Sequence, residues 1–117
     1  MTLNTANLGP NHKLTLCRAR DLATSHTIFR RIIKAKKLLN ISIRRAKKHL
    51  GSKDLVTLRL YEQYGLCLVL EKEFKRPLKT FETVSMIREE VQGFGNIRTI
   101  LSNKIKAGLL MEMNRDH

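Results

Sequence analysis

From Leu22 to Lys53 this chain has no aspartate and no glutamate. Its other scarcities narrow the field further. There is no tryptophan, and four Phe and two Tyr are all the aromatics in 117 residues, which counts against an RNA reader built on stacking aromatics. The two cysteines, Cys17 and Cys67, form no C-x-x-C pair, so neither zinc spacing nor a dithiol redox motif is present. Two thiols without a disulfide framework fit a reducing cytosol. His12, His26, His49 and His117 are scattered and make no ligand set, so no metal and no cofactor is expected. No Gly-rich phosphate loop, nucleophile elbow or Ser/His/Asp set is readable. Glu89 and Glu90 are adjacent on a predicted helix and point apart. An enzyme is not expected. The first twelve residues are polar and lack the apolar stretch of a signal peptide. No apolar run approaches the roughly 18 residues of a membrane span. The expectation is a cytoplasmic protein, nucleoid-associated if bacterial, with no membrane partner.

What is abundant is positive charge, and it is concentrated. The chain has 23 Lys and Arg against 10 Asp and Glu, a net charge of +13. Residues 13–53 hold 13 cations against Asp21 alone, residues 54–92 hold 6 against 7 acids, and residues 93–117 hold 4 against 2. A basic domain with clustered cations carries the electrostatic footprint of a nucleic-acid binder. The cations Arg30, Arg31, Lys34, Lys37, Arg44, Arg45, Lys47 and Lys48 are expected to meet backbone phosphate. Interleaved with them, Leu22, Phe29, Ile32, Leu39, Ile43, Ala46 and Leu50 recur at a 3,4 spacing, with Ser25 and Lys36 filling the two gaps, the mark of a helix with an apolar seam. The seam is expected to join two protomers.

Residues 1–13 read as a flexible tail and residues 14–117 as one helical domain. Residues 14–50 run without Gly or Pro, as one long helix or two joined near Thr24-Ser25 or Asn40. Gly51 suits the position just past a helix end, with Lys47, Lys48 and His49 favourable in the turn before it. Ser52 is the predicted N-cap of a central helix over 54–75, apolar on nearly all sides, with Asp54 in its first turn. Arg76-Pro77 is read as its stop. Thr80 is the predicted cap of a short helix marked by Phe81, Val84, Ile87 and Val91. Gly93-Phe94-Gly95 breaks the chain, and Asn96 caps another short helix whose packing face is Ile97, Ile100, Leu101 and Ile105 and which ends at Gly108. Leu109 to Met113 reads as a strand and Asn114-Arg115-Asp116 as a turn.

Residues 80–117 thus follow a helix-turn-helix plan leading into the start of a wing. On the second helix Asn96, Arg98, Thr99, Ser102, Asn103 and Lys106 are types that address base edges and phosphates. The stretch Ile100-Leu101-Ser102-Asn103-Lys104-Ile105-Lys106-Ala107-Gly108-Leu109-Leu110, with Asn114-Arg115-Asp116 after it, resembles the recognition helix, Ala-Gly-Leu step and charged wing tip of the MarR-type winged-helix transcriptional regulators. The likeness spans residues 20–117. It implies a mainly α fold, with a long N-terminal dimerisation helix, a helix-turn-helix unit and at most a short β segment near the C-terminus. It also implies a homodimer on double-stranded DNA, two recognition helices in successive major grooves, Arg115 near the minor groove, and regulation by promoter occlusion. The family resemblance allows a small-molecule effector, though no residue pattern marks its pocket. Competing readings are an RNA- or ribosome-associated basic helical protein, a nonspecific nucleic-acid binder, and an amphipathic helix for acidic lipid.

Overall fold

A computed structural model describes residue 9 and residues 11–115. Residues 1–8 and 10, most of the expected tail, lie outside the described residues, as do Asp116 and His117. Every regular element described is an α-helix: α1 (Lys13–Ile28), α2 (Ile32–His49), α3 (Leu55–Leu70), α4 (Lys75–Gln92) and α5 (Ile97–Arg115). The chain divides into two compact units, one ending at Cys67 and the other beginning at Leu68.

In the N-terminal unit α1 and α2 pack on each other, and α3 completes the core. Leu16 and Ala23 from α1, Ala35, Leu39, Ile43 and Ala46 from α2, and Leu60 and Cys67 from α3 are buried together. Ile32, Leu38, Leu50, Val56, Tyr61 and Tyr64 pack against them. The alanines keep the core thin, and each fully buried leucine contributes about 1.5–3 kcal/mol. Thr27 Oγ1 lies 3.4 Å from Cys67 Sγ, tying the end of α1 to α3.

The break within residues 14–50 falls at Phe29-Arg30-Arg31, not at Thr24-Ser25 or Asn40. Thr24 and Thr27 lie within α1, where their hydroxyls donate to the carbonyls of Arg20 (2.9 Å) and Ala23 (2.8 Å), four residues back, and do not break the helix. α1 then closes with the Arg31 N–H on the His26 carbonyl (2.7 Å) and the Arg30 N–H on the Thr27 carbonyl (3.0 Å). This pairing is a Schellman motif, whose turning residue needs a left-handed backbone. Arg30 supplies it at φ 63°. Lys72 (φ 64°) plays the same part after α3, with the Glu73 N–H on the Leu68 carbonyl.

Asp54, not Ser52, caps α3: its Oδ1 accepts from the Val56 N–H at 2.9 Å, while Oδ2 pairs with Lys13 at 2.9 Å. α3 ends at Leu70, earlier than Arg76-Pro77. Pro77 sits instead in the first turn of α4, where a missing N–H is tolerated. Thr80 is consequently inside α4 and caps nothing.

In the C-terminal unit α4 and α5 pack as a hairpin. α4 ends at Gly93 (φ 85°), whose N–H reaches the carbonyls of Arg88 and Glu89. Asn96 caps α5 as expected, its Oδ1 accepting from the Arg98 N–H at 2.9 Å. The helix does not stop at Gly108. It continues to Arg115, so the predicted strand at Leu109–Met113 is helical and no strand or wing exists among the described residues. A lone glycine in a helix costs about 1 kcal/mol relative to alanine, too little to end one that is otherwise continuous.

Candidate nucleic-acid interface

On α2 the apolar seam and the cations separate as an amphipathic helix requires. Leu39, Ile43 and Ala46 are buried, while Lys34, Lys37, Arg44, Arg45, Lys47 and Lys48 are exposed, as are Arg30 and Arg31 at the corner before it. Lys34, Lys37, Arg44 and Lys48 recur at helical spacing along one exposed stripe. From Lys34 to Lys48 the axial rise is about 21 Å at 1.5 Å per residue. At 3.4 Å per base-pair step that is the length of about six base pairs. Lys47, Lys48 and His49 also occupy the last turn, where the helix dipole favours cations.

The seam expected to join protomers is divided by the fold. Leu39 and Ile43 belong to the unit's own core, and Ile32 and Leu50 pack against it. Leu22 and Phe29 remain exposed. Phe29 is accompanied at the corner by exposed Ile28 and Ile33, which the apolar spacing does not pick out because neither falls on the 3,4 seam. The signal that could have found them is their place on either side of the arginine pair, where Ile28-Phe29 precede and Ile32-Ile33 follow Arg30-Arg31.

On α5 the expected base-reading residues fall on different sides. Arg98 is exposed in the first turn. Thr99 and Ser102 are buried, which corrects their assignment to an outer reading face. Asn103 is half-buried and donates from Nδ2 to Glu89 Oε2 on α4 at 3.2 Å. Lys106 is half-buried on the same side. Of the residues expected to pack inward, Ile97, Ile100 and Leu101 are exposed and Ile105 is half-buried. The reason lies in the length of α5. A helix continuing to Arg115 must present one stripe inward throughout, and the stripe that buries Leu109 is the one bearing Ser102 and Thr99.

The α4–α5 hairpin accordingly encloses polar groups beside its apolar core of Phe81, Val84 and Leu109. Ser85, Arg88, Thr99 and Ser102 are all enclosed. Arg88 donates from Nη1 to Gln92 Oε1 at 2.7 Å. Among the described residues the hydroxyls of Ser85 and Thr99 have no hydrogen-bond partner. Arg115, expected at a wing tip, is on the last turn of α5 and pairs with Glu112 at 2.7 Å.

Among the described residues no cluster of three or more His, Cys, Asp or Glu is placed to hold a metal ion, and no helix is long and apolar enough to cross a membrane. Searches with protein-family models and against curated proteins match nothing to this chain.

Proposed function

We propose that this chain binds double-stranded DNA, with the exposed cations of α2 and the α1–α2 corner as its contact with the phosphate backbone. The observation that carries the reading is the separation on α2. The core takes the apolar side, so Lys34, Lys37, Arg44, Arg45, Lys47 and Lys48 face solvent on a rigid element with no carboxylate from Leu22 to Lys53. Held cations along a linear track suit a linear polyanion, and the gain comes from counterion release as phosphates are neutralised.

In its fuller form the proposal is a homodimeric regulator of the MarR-like kind that occludes a promoter, with α5 reading bases. Arg98 beside the capped N-terminus of α5 supports that form. The second reading, a backbone-dominated binder of DNA or structured RNA, draws support from α5 as well. With Thr99 and Ser102 enclosed and Asn103 held by Glu89, few polar side chains of α5 are left for base edges.

The test is binding of the purified protein to a mixed-sequence duplex library and to structured RNA across about 50–300 mM salt. Enrichment of a two-fold symmetric motif with half-sites about one helical turn apart supports the regulator. Equal, steeply salt-dependent binding to every duplex supports the backbone binder. Binding that ignores salt refutes both.

A further inference from the structure

The α1–α2 corner combines three features that the phosphate track does not need. Its side chains are large and apolar yet open to solvent: Ile28 is 69%, Phe29 71% and Ile33 68% exposed. Cations surround them, with Arg30 and Arg31 in the corner itself and Lys34 and Lys37 beginning the stripe on α2. The turn is also made at Arg30 with φ 63°, where a side chain other than glycine is disfavoured. A strained turn that projects apolar residues into water is costly unless something covers them.

We propose that Ile28, Phe29 and Ile33 form a wedge that inserts between base steps of a duplex whose phosphates are held by the α2 cations. This deepens the DNA-binding reading and rests on it. Charge complementarity selects the occupant, because an interval with ten cations and no carboxylate repels a second copy of itself and draws a polyanion. Architectural DNA-binding proteins place Phe, Leu or Ile between base steps in this way, with Arg and Lys on the flanking backbone. The shape argues for a duplex over a lipid surface. A helix lying in a membrane interface needs its apolar stripe free along its length. The stripe of α2, at Ala35, Leu39, Ile43 and Ala46, is already buried in the core. Ile41, 45% exposed, interrupts the cationic track, but the apolar side chains opened furthest on α2 and its corner are at the tip, the arrangement of a wedge at the end of a rail. The Arg31 guanidinium lies 6.0 Å from the Phe29 ring centroid, which steadies the ring and adds a cation next to the inserted edge.

The experiment uses the full chain and a duplex carrying 2-aminopurine, whose fluorescence rises when it is unstacked. Phe29→Ala is the test variant. Its side chain is exposed, so it is expected to fold as the wild type, which circular dichroism checks. The expected result is a fluorescence rise with wild-type protein that Phe29→Ala abolishes. Affinity falls about tenfold, the scale of losing one stacked base, while the salt slope of binding stays unchanged. If wild type binds with a steep salt slope, no fluorescence rise and the same affinity as Phe29→Ala, the wedge is overturned and the phosphate track stands. If wild type binds no nucleic acid, the wedge and the DNA-binding reading both fall. Phe29-dependent capture on vesicles of anionic phospholipid would then assign the corner to lipid.

Discussion

The two units sort polarity differently: the N-terminal core is built on leucine, isoleucine and alanine, whereas the C-terminal unit encloses Ser85, Arg88, Thr99 and Ser102 alongside Phe81, Val84 and Leu109. In the N-terminal unit α2 turns leucine, isoleucine and alanine inward and lysine and arginine outward. In the C-terminal unit α5 turns Thr99 and Ser102 inward and leaves Ile97, Ile100, Leu101 and Met111 exposed, as α4 leaves Met86 and Val91. The difference teaches that an apolar periodicity locates a helix more securely than it locates the helix's inner face. On α2 the apolar stripe is continuous over the whole helix, so only one orientation buries it. On α5 the apolar residues lie on more than one stripe, Ile97, Ile100 and Met111 on one side and Ile105 and Leu109 on another, and the long helix can bury only one.

The sharpest way to break this comparison is at Leu39. Leu39→Asp places a carboxylate in the core of the N-terminal unit and is expected to cost upward of about 4 kcal/mol, unfolding that unit in thermal melts. If Leu39 instead faced a second protomer, the variant would be a folded monomer with helical circular dichroism, and sedimentation would tell the two apart.

Next in size is the cationic side. Replacing Arg44, Arg45 and Lys48 with Ala together should leave the melting temperature nearly unchanged. It should reduce the slope of log affinity against log salt by about 0.9 for each phosphate left without its cation. An unchanged slope would put the polyanion elsewhere on the surface.

The C-terminal unit offers the next contrast. Thr99→Val keeps the side chain's shape and removes a buried hydroxyl that has no partner among the described residues. It should stabilise the protein by about 1 kcal/mol in urea unfolding. If Thr99 were on an outer reading face, stability would not move and DNA discrimination would fall. Arg30→Gly should also stabilise, again by about 1 kcal/mol, by relieving the left-handed backbone. A loss of stability there would mean the Arg30 side chain holds the corner in some other way.

Smallest of all is Ile100→Lys. On the exposed face of α5 it should change stability by no more than about 0.5 kcal/mol. A loss of several kcal/mol would restore the packing face that the apolar spacing suggests and overturn this orientation of α5.

Much of the fold was legible because local chemistry speaks for itself at certain positions. Gly51 and Gly93 adopt the positive φ that lets a chain leave a helix, and the Gly93-Phe94-Gly95-Asn96 turn follows from a glycine stop and an asparagine start. The turns at Arg30 and Lys72 were not legible. A long cationic side chain is an ordinary helix former, and nothing in its own preference calls for a left-handed backbone. The candidate site divides in the same way. The α2 cations could be read because charge on an amphipathic helix has nowhere to go but outward. The inner and outer faces of α5 could not, since polar residues pointing inward contradict every local preference.

By itself the sequence determined a basic, mainly helical chain with its charge gathered in the first half, because composition and periodicity are local properties that no packing alters. Only the tertiary structure decided that the seam at Leu39 and Ile43 closes on the chain's own core, that Leu109 to Met113 prolong a helix in place of a strand, and that Thr99 faces inward. Each of these depends on which surface meets which other surface across the fold, and the free energy of such packing belongs to pairs of elements, not to any one stretch of residues.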